Sequence, residues 1–229
     1  MSIVRFVGGI AVGMALTLAG VSSAAAQNTA PKTAPAAQTA APAAKAAPAA
    51  ATPQYREFVM GDPKATVTVI EYASLTCSHC AHFHQTAYPE LKKNYIDTGK
   101  IRFVFRDFPL DTWATAGALL ARCAPGDRGT KLIDLIFKNQ DTWIRSEKPM
   151  EPLRGYAQLA GMSTADVDAC FNNNDILKNI RDVQNTAQNL YKVQSTPTFF
   201  IEDEKVEGDR GYEYMAKIID QKLKDKAKK

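Results

Sequence analysis

The 229-residue chain offers few side chains for metal or redox chemistry: three histidines, His79, His82 and His84, and four cysteines, Cys77, Cys80, Cys123 and Cys170. A structural zinc site usually takes four ligands, and a second Cys-x-x-Cys is missing. Charge of one sign is also missing. Lysine plus arginine number 28 against 24 acids, a net +4, and much of that excess sits in the terminal run Lys222, Lys224, Lys226, Lys228 and Lys229, which reads as a solvated helix end. No basic face interleaved with aromatics appears, so a nucleic-acid partner is not expected. Apart from residues 6–21, no apolar run approaches the length of a membrane span.

What is present divides the chain in three. Residues 1–26 read as a cleaved secretory signal: Arg5 before an apolar stretch, then Ala24-Ala25-Ala26 ahead of Gln27 as a small-residue cleavage site. The apolar stretch is short for an uncleaved anchor. Residues 27–53 are dominated by alanine, with Pro31, Pro35, Pro42, Pro48 and Pro53 too frequent for a stable helix. That segment has no large apolar residue from which to build a core, and so reads as a disordered tether reaching roughly 80 Å if fully extended as polyproline. The remainder, 54–229, is long enough for one good core. The even cysteine count fits an oxidising compartment. The chain does not end in Lys-Asp-Glu-Leu, which points to a bacterial periplasm.

Within 54–229 the pattern predicts α/β architecture. Residues 66–72 are β-branched and mostly apolar, as in a buried strand. A helix should run from Cys77 to about Tyr95, and a second strand over 101–108, giving a parallel βαβ unit. Residues from about 112 to 193 carry only helical patterns, including one capped by Ser163 with Asp166 at capping-box spacing. The strand Thr198–Ile201, a turn at Glu202-Asp203-Glu204, a short return strand and a helix from about Tyr212 to Lys224 close the chain. The order is βαβ, a helical insertion, then ββα, with a sheet of at least four strands.

The chemistry centres on Cys77-Ser78-His79-Cys80 at a strand-to-helix turn. A sulfur at a helix N-terminus meets unpaired N–H groups and the positive end of the dipole. Both favour the thiolate, which is the nucleophile. Cys80, one turn along, can close a disulfide with Cys77, which leaves Cys123 and Cys170 as the other pair, structural or a second redox relay. His79, protonated, would stabilise the Cys77 thiolate; otherwise it is an exposed helix residue. Glu71 either faces Cys80 as an acceptor for its proton or carries its charge on the far side of the strand. Thr196-Pro197 is either a simple turn or a cis bond that frees the Thr196 backbone to pair with an extended substrate. Cys77, Cys80, His82 and His84 form the one combination that could bind zinc or copper, although His82 and His84, two apart on a helix, point in divergent directions.

These motifs together resemble the DsbA-like branch of the thioredoxin superfamily: Glu71-Tyr72-Ala73-Ser74 ending a strand, Cys77-Ser78-His79-Cys80 opening a helix, and Thr196-Pro197-Thr198-Phe199-Phe200 late in the chain, over residues 55–227. The resemblance implies a thioredoxin fold with an inserted helical domain, working without a cofactor as a periplasmic thiol:disulfide oxidoreductase. Cys77 would form the mixed disulfide and Cys80 resolve it. Pro197 would be the cis-proline beside the pair, Glu71 the buried acid, and His79 the histidine between the cysteines. Partners would be reduced secreted proteins and a DsbB-like membrane protein that reoxidises the pair. Ser78 and Thr196 replace the proline and valine of the best-known members, and threonine before the cis-proline is more typical of disulfide isomerases. The Cys123/Cys170 pair resembles that of a subgroup with a second disulfide. An isomerase usually needs a dimer, and residues 27–53 lack heptads, so a monomer and the oxidase direction are expected. Reductase or isomerase activity and, from another class, periplasmic metal binding are the alternatives.

Overall fold

The computed structural model describes residues 55–228; the predicted signal and Ala/Pro-rich segments lie outside them. In chain order the elements are β1 (Phe58–Gly61), β2 (Val67–Ala73), α1 (Ser78–Leu91), β3 (Ile101–Asp107), α2 (Thr112–Cys123), α3 (Arg128–Lys138), α4 (Gln140–Ile144), α5 (Met150–Leu159), α6 (Thr164–Phe171), α7 (Asn174–Asn189), β4 (Thr198–Ile201), β5 (Glu204–Glu207) and α8 (Gly211–Ala227). The five strands lie in the order β1-β3-β2-β4-β5. Only β2 and β3 are parallel; β1, β4 and β5 pair antiparallel with their neighbours. The βαβ unit and the hairpin therefore meet along β2, with Tyr72 opposite Thr198.

Two details depart from the sequence reading. The helix expected to reach Tyr95 stops at Leu91 and continues as a π-helical turn over Lys92–Ile96. Pro89 lies just before that change, and a proline removes an N–H from the α-helical ladder. The fifth strand of the sheet, β1, lies on its edge in a segment where the sequence reading places no strand. Its turn depends on Gly61, at φ 97°, where a Cβ would sit 2.5 Å from the Ile101 carbonyl oxygen.

Alternation along β2 turns Val67, Val69, Glu71 and Ala73 to one face and Ile70 and Tyr72 to the other, where Tyr72 packs with Phe108, Ala187 and Val193. Val67 and Val69 join Phe83, Leu91, Phe103, Phe199 and Ile219 in a cluster that includes residues of α1 and α8. A second cluster contains Ala73, Leu75 and Cys80 with Leu120, Ile136, Phe137 and Trp143 of the helical layer. Between Cys123 and Asn189 no strand interrupts the helices α3–α7. The predicted cap of α6 is present, with Ser163 and Asp166 exchanging hydrogen bonds in both directions. Cys123 at the end of α2 and Cys170 in α6 form a disulfide with Cα atoms 6.0 Å apart.

Candidate active site

Cys77 is the N-cap residue of α1, in extended conformation with φ −77° and ψ 119°. The helix thus begins one residue after the first sulfur, and backbone N–H groups converge on it. The preceding loop is held from two sides. The Gln140 amide of α4 donates to the carbonyls of Leu75 (2.8 Å) and Cys77 (3.0 Å). The Thr76 hydroxyl donates to Asp111 (2.6 Å), which also caps α2 through the Ala114 N–H. Nothing in the sequence marks Gln140, because its contacts lie more than sixty residues away in the chain.

The third side of the site is the loop before β4. Its Thr196–Pro197 peptide bond is cis. The Cys77 thiol donates to the Thr196 carbonyl oxygen at 3.2 Å. That oxygen, expected to await a substrate backbone, is engaged by the cysteine itself. The buried Thr196 hydroxyl has no hydrogen-bond partner in the thiol form.

The two sulfurs, both free thiols here, differ in environment. Cys77 is partly exposed and its pKa falls to about 5. The first cause is a hydrogen bond from Cys80; the Thr196 hydroxyl and the backbone N–H groups of Cys80 and His79 add to it, and burial opposes them. Cys80 is fully buried, and burial, then its hydrogen bond to Cys77 and the charge of Glu71, push its thiol far up. One cysteine is prepared as a thiolate and the other as a thiol. His79 is exposed, and its backbone N–H is one of the groups that lower the Cys77 pKa.

Glu71 of β2 is completely buried, and its charge raises the pKa of Cys80 through space. Its Oε2 lies 2.8 Å from Nε2 of His84, itself buried on α1. Burial raises the Glu71 pKa while His84 pulls it down. Burial also lowers that of His84, but the Glu71 and Asp134 carboxylates outweigh it and hold the imidazole at about 9. The pair Glu71–His84 is absent from the sequence reading, which grouped His84 with His82 as potential ligands. The structure separates them: the exposed His82 pairs with Asp209 at 2.6 Å. Among the described residues no three His, Cys, Asp or Glu side chains are arranged to hold a metal.

A parallel βαβ unit and an antiparallel hairpin sharing one sheet, a Cys-x-x-Cys at the first helix and a cis-proline facing it define a thioredoxin-fold dithiol protein. The family model described as thioredoxin matches residues 53–221, and the chain belongs to that family. Within it the likeness is to DsbA proteins. Alpha-DsbA1 of Wolbachia pipientis is 31% identical, over 74% of this chain and 92% of its own, with a TM-score of 0.69. BdbD of Bacillus subtilis, at 20% identity and a TM-score of 0.67 over 73% and 93% of the two chains, shares the fold. A Rickettsia prowazekii protein named as a protein-disulfide oxidoreductase is 37% identical over 175 residues, 76% of this chain and 64% of that one. The chain thus spans less than two thirds of the length of that relative. Among the described residues no helix is long and apolar enough to cross a membrane.

Proposed function

We propose that the protein is a thiol:disulfide oxidoreductase that introduces disulfides into reduced secreted proteins, using Cys77 and Cys80 in a periplasm reached through a signal over residues 1–26. The observation that supports this most is the asymmetry of the two sulfurs: a partly exposed Cys77 held as a thiolate at the α1 N-terminus, and a buried Cys80 held as a thiol. A stable thiolate favours the reduced form, and a protein whose reduced form is favoured is an oxidant.

In the reaction a substrate thiolate attacks Sγ of Cys77. The Cys77–Cys80 bond breaks, and its electron pair stays on Cys80, which takes up a proton. The substrate is then joined to Cys77. A second substrate thiolate attacks the substrate sulfur of that mixed disulfide and expels Cys77 as its stabilised thiolate. The substrate leaves with a disulfide, and its two electrons remain in the Cys77/Cys80 dithiol. A DsbB-like membrane partner carrying a disulfide takes them in turn. The cis-peptide at Thr196–Pro197 shapes the wall beside Cys77, and Glu71 handles the Cys80 proton. Residues 27–53 act as a spacer, 54–229 form the working domain as a monomer, Cys123–Cys170 staples the helical insertion of about residues 112–193, and no cofactor takes part.

The test is oxidative refolding of reduced, unfolded ribonuclease with the Cys77–Cys80 disulfide form. The wild type should restore ribonuclease activity with loss of its own disulfide, and Cys77→Ser should restore none. Equal refolding by Cys77→Ser would refute the reading.

A further inference from the structure

The buried Cys80 must gain a proton when the disulfide opens and lose one when it closes, yet it is fully buried. Glu71 is just as buried, and its Oε1 has no hydrogen-bond partner. A carboxylate enclosed in this way can exchange a proton with the thiol only if it is itself resupplied. Its one side-chain hydrogen-bond partner in the structure is His84, Nε2 to Oε2 at 2.8 Å. The other ring nitrogen of His84, Nδ1, is buried without a hydrogen-bond partner and lies 3.8 Å from Oδ1 of Asp134 on α3. Asp134 is half-exposed, at 52% of its side chain. Beside it a small pocket of about 230 Å³ is lined by His84, Tyr88, Asp134 and Lys138 among others. At about 30 Å³ per water, that space holds several molecules.

We propose that His84 and Asp134 are positioning residues that form a proton relay, carrying the Cys80 proton between Glu71 and solvent at the α1–α3 surface. This rests on the exchange reading of Cys77 and Cys80. An imidazole suits the task because it can take a proton on one nitrogen while releasing one from the other. When the substrate opens the disulfide, the Cys80 thiolate takes a proton from Glu71. Glu71 recovers it from Nε2–H of the His84 imidazolium, which is left neutral with its Nδ1–H, and the Glu71–His84 pair regains its one proton from solvent on the Asp134 side. Closure of the disulfide runs the same transfers backwards. Each passage moves one proton and no electrons.

The ring is held in place for this. It stacks on Phe137 of α3 with centroids 4.3 Å apart and packs edge-on to Phe105 of β3 at 6.1 Å. The titratable and charged groups around it are Glu71 from β2, Asp134 and Lys138 from α3, Tyr88 on its own helix and Lys92 in the turn that follows. Burial keeps the Tyr88 phenol protonated well beyond its ordinary range. That leaves Glu71 and Asp134 as the carboxylates on either side of the ring.

The relay is tested by separating the two half-reactions. The reduced full-length protein is mixed with oxidised glutathione, quenched in acid at intervals and read by mass spectrometry. The first step, formation of the Cys77–glutathione mixed disulfide, needs only the thiolate. The second, closure by Cys80, needs the buried proton to leave. His84→Gln should slow closure at least tenfold between about pH 6 and pH 8 and change its pH profile, with the first step altered less than about twofold, and imidazole in the buffer should restore part of the loss. Asp134→Asn, at a half-exposed position, should slow closure by about threefold or more and carries the test if His84→Gln does not fold. Closure at the wild-type rate and pH profile in whichever variant folds would overturn the relay, and so would equal slowing of both steps, which indicates a structural role. Failure of the wild type to form any mixed disulfide would instead refute the exchange reading.

Discussion

Acidification from pH 7 to pH 4 should narrow the stability gap between the dithiol and disulfide forms of this protein. In the folded dithiol form the Cys77 pKa is about 5; in an unfolded chain a cysteine has about 8.5. A depressed folded-state pKa contributes stability that is complete above the unfolded value and is lost as the pH falls through the folded one. At pH 7 two pH units lie above the folded pKa, equivalent to about 2.7 kcal/mol at 1.36 kcal/mol per unit. Cys77 is only about half buried, and solvent screening reduces this to about 1–2 kcal/mol. The disulfide form has no thiolate and lacks this contribution. Glu71 and His84 titrate in both forms, so they largely cancel in the difference. Selective reduction of Cys77–Cys80, verified by thiol counting in mass spectrometry, followed by urea unfolding of both forms from pH 8 to pH 4 measures it. Between pH 7 and pH 4 the dithiol form should lose about 1–2 kcal/mol relative to the disulfide form, falling steadily from pH 7 and levelling off below about pH 5. A gap that stays constant, or that widens in acid, would refute the electrostatic account of Cys77.

Thr196→Val keeps the shape of the residue and the carbonyl that faces Cys77 but removes the hydroxyl. The Cys77 pKa, read from thiolate absorbance near 240 nm, should rise by about one unit, the scale of one hydrogen bond to a charged group. The double variant Cys123→Ser/Cys170→Ser opens a loop with a sequence separation of 47. It should cost about 4 kcal/mol in urea unfolding. Exchange at Cys77 should persist, since these two cysteines lie in α2 and α6 rather than in the loops around Cys77.

Much of the fold is legible in the sequence because the local signals agree with the tertiary structure. The β-branched run at 66–72 buries Val67, Val69 and Glu71 on one face and leaves Thr68 and Ile70 partly buried on the other, and β2 follows within a residue. The capping-box spacing at Ser163 and Asp166 identifies the start of α6. The strand β1 is harder to read: it has four residues, ends in glycine and pairs on one side only. At the site, the cysteines and the Thr196-Pro197 turn stand out as motifs, because their chemistry depends on short spacings. The partner of Glu71 does not. Thirteen residues and a change from strand to helix separate it from His84, and local periodicity carries no information about which side chain crosses that gap. At His79 the motif draws attention to the imidazole, while the structure adds a contribution that no motif marks, the backbone N–H, a group every non-proline residue supplies.

The most direct test of the oxidant reading is the reduction potential of the Cys77/Cys80 pair, by equilibration of the full-length protein in glutathione buffers of defined ratio and separation of its two forms. The thiolate-stabilised site predicts a value well above thioredoxin's about −270 mV and toward the about −120 mV of strong disulfide donors. A value at or below that of thioredoxin would contradict the account and identify a reductase.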